Sequence, residues 1–142
     1  MKQLKQALLI ASLLLSWTMA QAIEIKSKPD FTANFQITSM ISTADGSTIT
    51  CEGKAGDYGK TYLTYNFKST SGSKGSGDFT GQVRAIDGEG NMTSGSLQGV
   101  WKRVGRIVEI HSLDELSDGQ KIIAIGTMDL VSGEVVLDAR AL

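Results

Sequence analysis

The 142-residue chain sets 14 lysines and arginines against 15 aspartates and glutamates, a net charge of −1, with the charges scattered along its length. That scatter argues against a nucleic-acid face or a patch for anionic membranes. A single histidine and a single cysteine, Cys51, rule out an internal disulfide and make a zinc site improbable, so no metal and no cofactor is expected.

The first 22 residues predict a secretory signal peptide. Lys2 and Lys5 give a positive start, residues 7–15 an apolar run, and Ala20-Gln21-Ala22 a small-x-small cleavage site. The apolar run is too short for a membrane anchor, and no cysteine follows the cleavage position, which disfavours a lipoprotein. Cleavage leaves residues 23–142 as a single domain with no membrane insertion, delivered to the periplasm or secreted. Losing the two leader lysines leaves twelve basic against fifteen acidic side chains, a net charge of three negative. All 16 glycines and the one proline, Pro29, lie in this mature part, a composition that fits an all-β protein with bends and bulges.

Residues 23–28 read as an edge strand or a loose arm ending at Pro29. From 31 to 41 the alternation sets Phe31, Ala33, Phe35, Ile37 and Ile41 on one face and Thr32, Asn34, Gln36 and Thr38 on the other. Asp45-Gly46 marks a turn. A three-residue turn keeps the apolar set together and sets Ile41 opposite Cys51 and Ser39 opposite Gly53; a two-residue turn sets Ile41 opposite Thr50. Residues 53–59 are a loop. Residues 60–69 form a strand with Leu63, Tyr65 and Phe67 inward, and 69–77 a polar loop.

Residues 75–103 organise the chain. The loop Gly88-Glu89-Gly90 folds two long strands together. This sets Phe79 opposite Gly99, Leu97 opposite Gly81, Val83 opposite Gly95 and Trp101 opposite Gly77. Each bulky side chain faces bare backbone on one side of the sheet. The other side carries Thr80, Gln82, Arg84, Ser96, Gln98 and Lys102, with Ile86 and Val100 as apolar exceptions. A turn over residues 103–106 sets Trp101 by Val108 and Gly99 by Ile110. Residues 113–119 are a loop or one helical turn. Residues 120–130 and 134–141 are the last strands, joined at Ser132-Gly133, with Met128 by Leu137 and Gly126 by Ala139.

Eight strands in sequence, each apolar on one face, predict an all-β fold: an antiparallel up-and-down eight-stranded β-barrel, with a two-sheet β-sandwich as the alternative. A membrane barrel has the reverse pattern, apolar outside and polar within.

The segment GSGDFTGQVRA, residues 75–85, resembles the Gly-Ser/Thr-Gly-x-Phe-x-Gly stretch of allene oxide cyclases and dirigent proteins. The resemblance covers about a dozen residues. It implies an eight-stranded calycin-like barrel able to hold an apolar small molecule, and often a trimer. No match to the catalytic residues of those families occurs elsewhere in the chain, so none is carried over.

Two constellations are candidates for chemistry. Glu109 and His111, two apart on a strand, point the same way, and a carboxylate beside an imidazole is what a general base needs; as a pair on the outer face they also read as plain surface. Phe35, Tyr65, Phe67, Phe79, Leu97, Trp101, Ile110 and Met128 form the interior, read either as a ligand-lined pocket or as a filled core. In a pocket, Tyr65 and Trp101 offer a hydroxyl and an N–H for orienting a ligand. Asp87 to Asn91 alternates oxygen ligands like a calcium loop but lacks the glycine and glutamate such a loop needs, so a hairpin turn is expected. Asp114, Glu115 and Asp118 read as a weak cation-holding cluster or, in preference, as a solvated acidic loop.

These features give three readings. The first is non-catalytic binding of a small apolar ligand. The second is a cyclase or isomerase, which requires an ionisable group inside the barrel. The third is an interaction module or homo-oligomer, with Val100, Ile125 and Cys51 at a subunit interface.

Overall fold

Alternation of apolar and polar side chains continues through eight strands, and their hydrogen-bonded order closes on itself. The computed structural model describes residues 22–70 and 72–142. The strands are β1 (Phe31–Ser42), β2 (Gly46–Lys54), β3 (Lys60–Ser69), β4 (Ser76–Ile86), β5 (Met92–Val104), β6 (Ile107–Leu116), β7 (Lys121–Asp129) and β8 (Glu134–Ala141), with one 3-10 turn at Gly56–Tyr58. Each pairs antiparallel with the next and β8 pairs with β1, a closed up-and-down barrel. The expected leader lies, apart from Ala22, outside the described residues. Among the described residues no helix is long and apolar enough to cross a membrane.

The β4–β5 hairpin has the predicted register throughout: Phe79 opposite Gly99, Gly81 opposite Leu97, Val83 opposite Gly95 and Gly77 opposite Trp101. Its loop is held by Asp87, whose Oδ1 accepts the backbone N–H of Glu89 and of Asn91, both at 2.9 Å. Bulk over bare backbone recurs around the barrel, with Phe35 over Gly53 and Ile110 beside Gly126. A β-carbon on Gly126 would lie 1.9 Å from the Val136 carbonyl oxygen. Only glycine admits that approach, and it lets the sheet coil tightly enough to close. Following the pairing from Ser42 once around the barrel returns to β1 at Phe31, eleven residues back, so the strands run tilted to the barrel axis.

Four local expectations are corrected. Between β1 and β2 the register shifts between Ile37 and Ser39, so Ile37 pairs with Cys51 and Met40 with Ile49. This bulge turns Ile41 outward, 62 % exposed. It is anchored by hydroxyls: Thr38 and Ser39 each share a 2.8 Å hydrogen bond with the Thr50 hydroxyl. Between β5 and β6 the turn is only Gly105-Arg106, with Gly105 at φ +62°, so Trp101 faces Ile110 and Gly99 faces Ser112. Between β7 and β8 the turn spans 130–133, so Met128 faces Val135 and Gly126 faces Leu137. Asp129 braces that turn by accepting the N–H groups of Val131 and Ser132 at 2.9 and 3.2 Å, while Arg106 donates to both its carboxylate oxygens. Both of these slips are by two residues, which leaves every side chain on its expected face. Finally, residues 113–116 are not part of a loop or helical turn: β6 runs to Leu116, because β5 and β7 pair with it on both sides over residues 113–115.

Residues 23–29 contain no strand and form a tethered arm. The Arg140 guanidinium donates to the Lys26 carbonyl at 2.8 Å, and the Asp30 carboxylate accepts the Ala141 N–H at 2.7 Å.

Candidate functional site

All eight predicted interior residues belong to one hydrophobic cluster, with Tyr65, Ile110 and Met128 essentially inaccessible and Trp101 partly buried. They do not surround one pocket. Around the middle of the barrel the rings pack on one another: Tyr65 and Phe67 at 5.3 Å, Phe67 and Phe79 at 5.4 Å, Phe67 and Trp101 at 5.9 Å between centroids. This plug separates the two ends. The Trp101 N–H is consumed within it, donating to the carbonyls of Lys68 and Asp78 at 3.0 Å, so it is not available to orient a ligand.

One end is hollow. A cavity of about 60 Å³ lies among Phe35, Leu63, Tyr65, Leu97, Leu116 and Leu137, with small side chains (Ala33, Ala85, Ala124 and Ala139) leaving the room. Of the predicted ligand-lining residues, only Phe35, Tyr65 and Leu97 reach it.

Asp114 also lines this cavity and was missed at the sequence level. The extension of β6 brings it inward between Leu97 and Ile122. Its Oδ1 accepts a hydrogen bond from the Ser112 hydroxyl. Burial raises its pKa to about 6, with the Ser112 hydrogen bond pulling the other way. Tyr65 lies close enough to feel that charge. Its hydroxyl is held well above the ordinary tyrosine range by burial first and by Asp114 second. The signal was present in the sequence: from Ile110 the same period of two runs through Ser112 and Asp114 to Leu116.

Tyr58 lines this end of the barrel. Tyr58, in the 3-10 turn, packs its ring 6.3 Å from that of Phe31, and its hydroxyl donates to Asp118 Oδ2 at 2.9 Å. The clasp joins the β2–β3 connection to the β6–β7 turn beside the cavity. Burial and the Asp118 carboxylate together push the Tyr58 hydroxyl up to about 12.

Glu109 and His111 are exposed on the outer face of β6, opposite Lys102 and Val100 on β5. They share no cavity with Asp114 or Tyr65. Cys51 is buried at 2 % exposure, away from any outer surface, and burial pushes its thiol up to about 12. Among the described residues no three His, Cys, Asp or Glu side chains are grouped to hold a metal ion.

The fold and this cavity define a closed antiparallel barrel with a partly hollow, apolar interior that holds a carboxyl group. No protein-family model, curated protein or solved structure matches the chain.

Proposed function

We propose that this protein binds a small, mainly apolar ligand in the cavity beneath Tyr58 and orients it with Asp114 and Tyr65. The observation that carries this reading is Asp114 itself, a carboxyl group facing apolar side chains with Ser112 as its hydrogen-bonding partner. Burying a carboxyl group among apolar side chains costs stability even with one hydrogen bond made, and Ser112 engages only Oδ1. When protonated, it offers an O–H to a ligand's carbonyl, ether or hydroxyl oxygen. The cavity is smaller than the ~150 Å³ of an engineered cavity that takes up benzene. Larger occupants enter by displacing the Tyr58 side chain. The leader expected from the sequence supports a site of action outside the cytoplasm, and the exposed Val100 and Leu113 support contact with a further copy.

Native mass spectrometry of protein purified from its own host tests the reading. A non-covalent adduct that is lost on denaturation, and is absent from an Ala85→Phe variant with its cavity filled, is the expected result. A bare mass for the parent protein sinks it.

A second reading, cyclase or isomerase chemistry, is favoured by the same carboxyl group. In this reading Asp114 acts as a general acid or base on an enclosed apolar substrate. The bound molecule then changes mass or structure during incubation with the parent protein but not with Asp114→Asn.

A further inference from the structure

The end of the barrel opposite Tyr58 has a different chemistry. There a pocket of about 220 Å³ has Phe67, Trp101, Val108 and Leu130 among its walls, and Lys74 and Arg103 on its lining. The register sets Arg103 opposite the buried Val108, on the inward face of β5 two residues beyond Trp101. Its Nη1 donates to the Gly105 carbonyl at 3.0 Å, which steadies the guanidinium and leaves most of its N–H groups free. Among the described residues neither Lys74 nor Arg103 has an acidic partner.

The acids at this end are turned to other tasks. Asp129 is bound by Arg106, Asp45 accepts from the Thr43 hydroxyl, and Asp78 lies on the outer face of β4. Among the described residues no carboxylate lines the pocket. An apolar wall beside two uncompensated cations matches a molecule with a flat greasy body and an anionic head. A volume below the ~300–1,000 Å³ of drug-sized sites limits that body to a single ring or a short chain.

We propose that this end of the barrel is a second binding site, for a small aromatic carboxylate whose ring rests on Phe67 and Trp101 and whose anionic head pairs with Lys74 and Arg103. The site is independent of the Asp114 cavity, because the packed rings of Tyr65, Phe67 and Phe79 lie between them.

Calorimetric titration of the protein with 4-ethylbenzoate and with its neutral counterpart 4-ethylbenzamide tests this. The carboxylate is expected to bind roughly tenfold more tightly than the amide and to weaken with added salt. Lys74→Ala and Arg103→Ala are each expected to weaken carboxylate binding roughly three- to fivefold, and the double variant about tenfold, leaving the amide unaffected. Lys102→Ala, which removes an outward-facing cation on the same strand, leaves both affinities in place. Circular dichroism of each variant confirms that the barrel is intact. Equal binding of the two compounds, binding of neither, or a double variant within twofold of the parent overturns the proposal.

Discussion

The Phe79 ring occupies the space that a side chain at Gly99 would need. A β-carbon at Gly99 would lie 2.8 Å from Phe79 Cζ and 1.9 Å from the His111 carbonyl oxygen. The glycine thus serves two neighbours, admitting a ring from β4 on one side and the backbone of β6 on the other. Gly99→Ala cannot be absorbed by a rotamer change, since one of the clashing atoms is backbone. It is expected to destabilise the barrel by about 3 kcal/mol, at the upper end for overpacking. Gly88→Ala, in a loop where nothing lies within 4 Å, is expected to stay within about 0.5 kcal/mol. Urea unfolding of the two variants side by side makes the comparison, and similar midpoints would refute the close-approach account.

Asp114 gives the fold a pH dependence of definite sign. Its pKa is about 6 in the folded barrel against an ordinary 3.8, so the folded state holds its proton more tightly than the unfolded chain does. Its contribution is therefore fully present below about pH 4 and is lost as pH rises through about 6. The shift of roughly two units corresponds to about 3 kcal/mol. Asp114→Asn removes this dependence. The stability of the variant relative to the parent should rise by about that amount between pH 4 and pH 7, measured by denaturant unfolding at each pH. A difference that stays constant with pH would mean that Asp114 is solvated.

The hydrogen bond from Tyr58 to Asp118 ties together two loops beside the cavity. Tyr58→Phe keeps the ring against Phe31 and loses only the hydroxyl, at an expected cost of about 1 kcal/mol. The effect should be local. Amide exchange should quicken at Tyr58 and Gly59, whose N–H groups bond to Ala55 and Gly56, while the β3 amides of Leu63 and Tyr65 keep their protection. Exchange that quickens equally in β3 would show the clasp to be part of the global core.

Cys51 is expected to be inert in the native barrel, being 2 % exposed with its thiol pushed up to about 12 by burial. A thiol reagent such as Ellman's should leave the folded protein untouched and react fully in denaturant. Labelling in native buffer should therefore report unfolding of the barrel. Rapid stoichiometric reaction without denaturant would contradict the burial.

How far the sequence could be read depended on how each feature is encoded. Faces were legible in most strands, because the two-residue period of a strand is a local signal, and Leu63, Tyr65 and Phe67 could be assigned inward from their neighbours alone. The β4–β5 register was legible because Phe79, Val83, Leu97 and Trp101 each need a glycine opposite, and a single alignment supplies all four. The turns at Gly105-Arg106 and at 130–133 were not, since shifting a register by two residues leaves every face unchanged and the local pattern cannot choose. The Thr38 bulge escaped for the opposite reason: one extra residue reverses the faces, and only the distant Thr50 hydroxyl shows why it is tolerated.

The carboxyl group inside the barrel marks the boundary most sharply. Asp114 sits in LDELSDG, a stretch whose acids and glycine resemble a solvent-exposed turn, and it becomes part of the interior only because β5 and β7 pair with β6 on both sides. Alternation and bulk-against-glycine pairing were sufficient to determine an eight-stranded barrel with an apolar inside, because both act between near neighbours or across one hairpin. How much space each end encloses, which polar group faces the cavity and which loops meet beside it were decided by tertiary structure, because each depends on side chains from strands far apart in the chain meeting where the barrel closes.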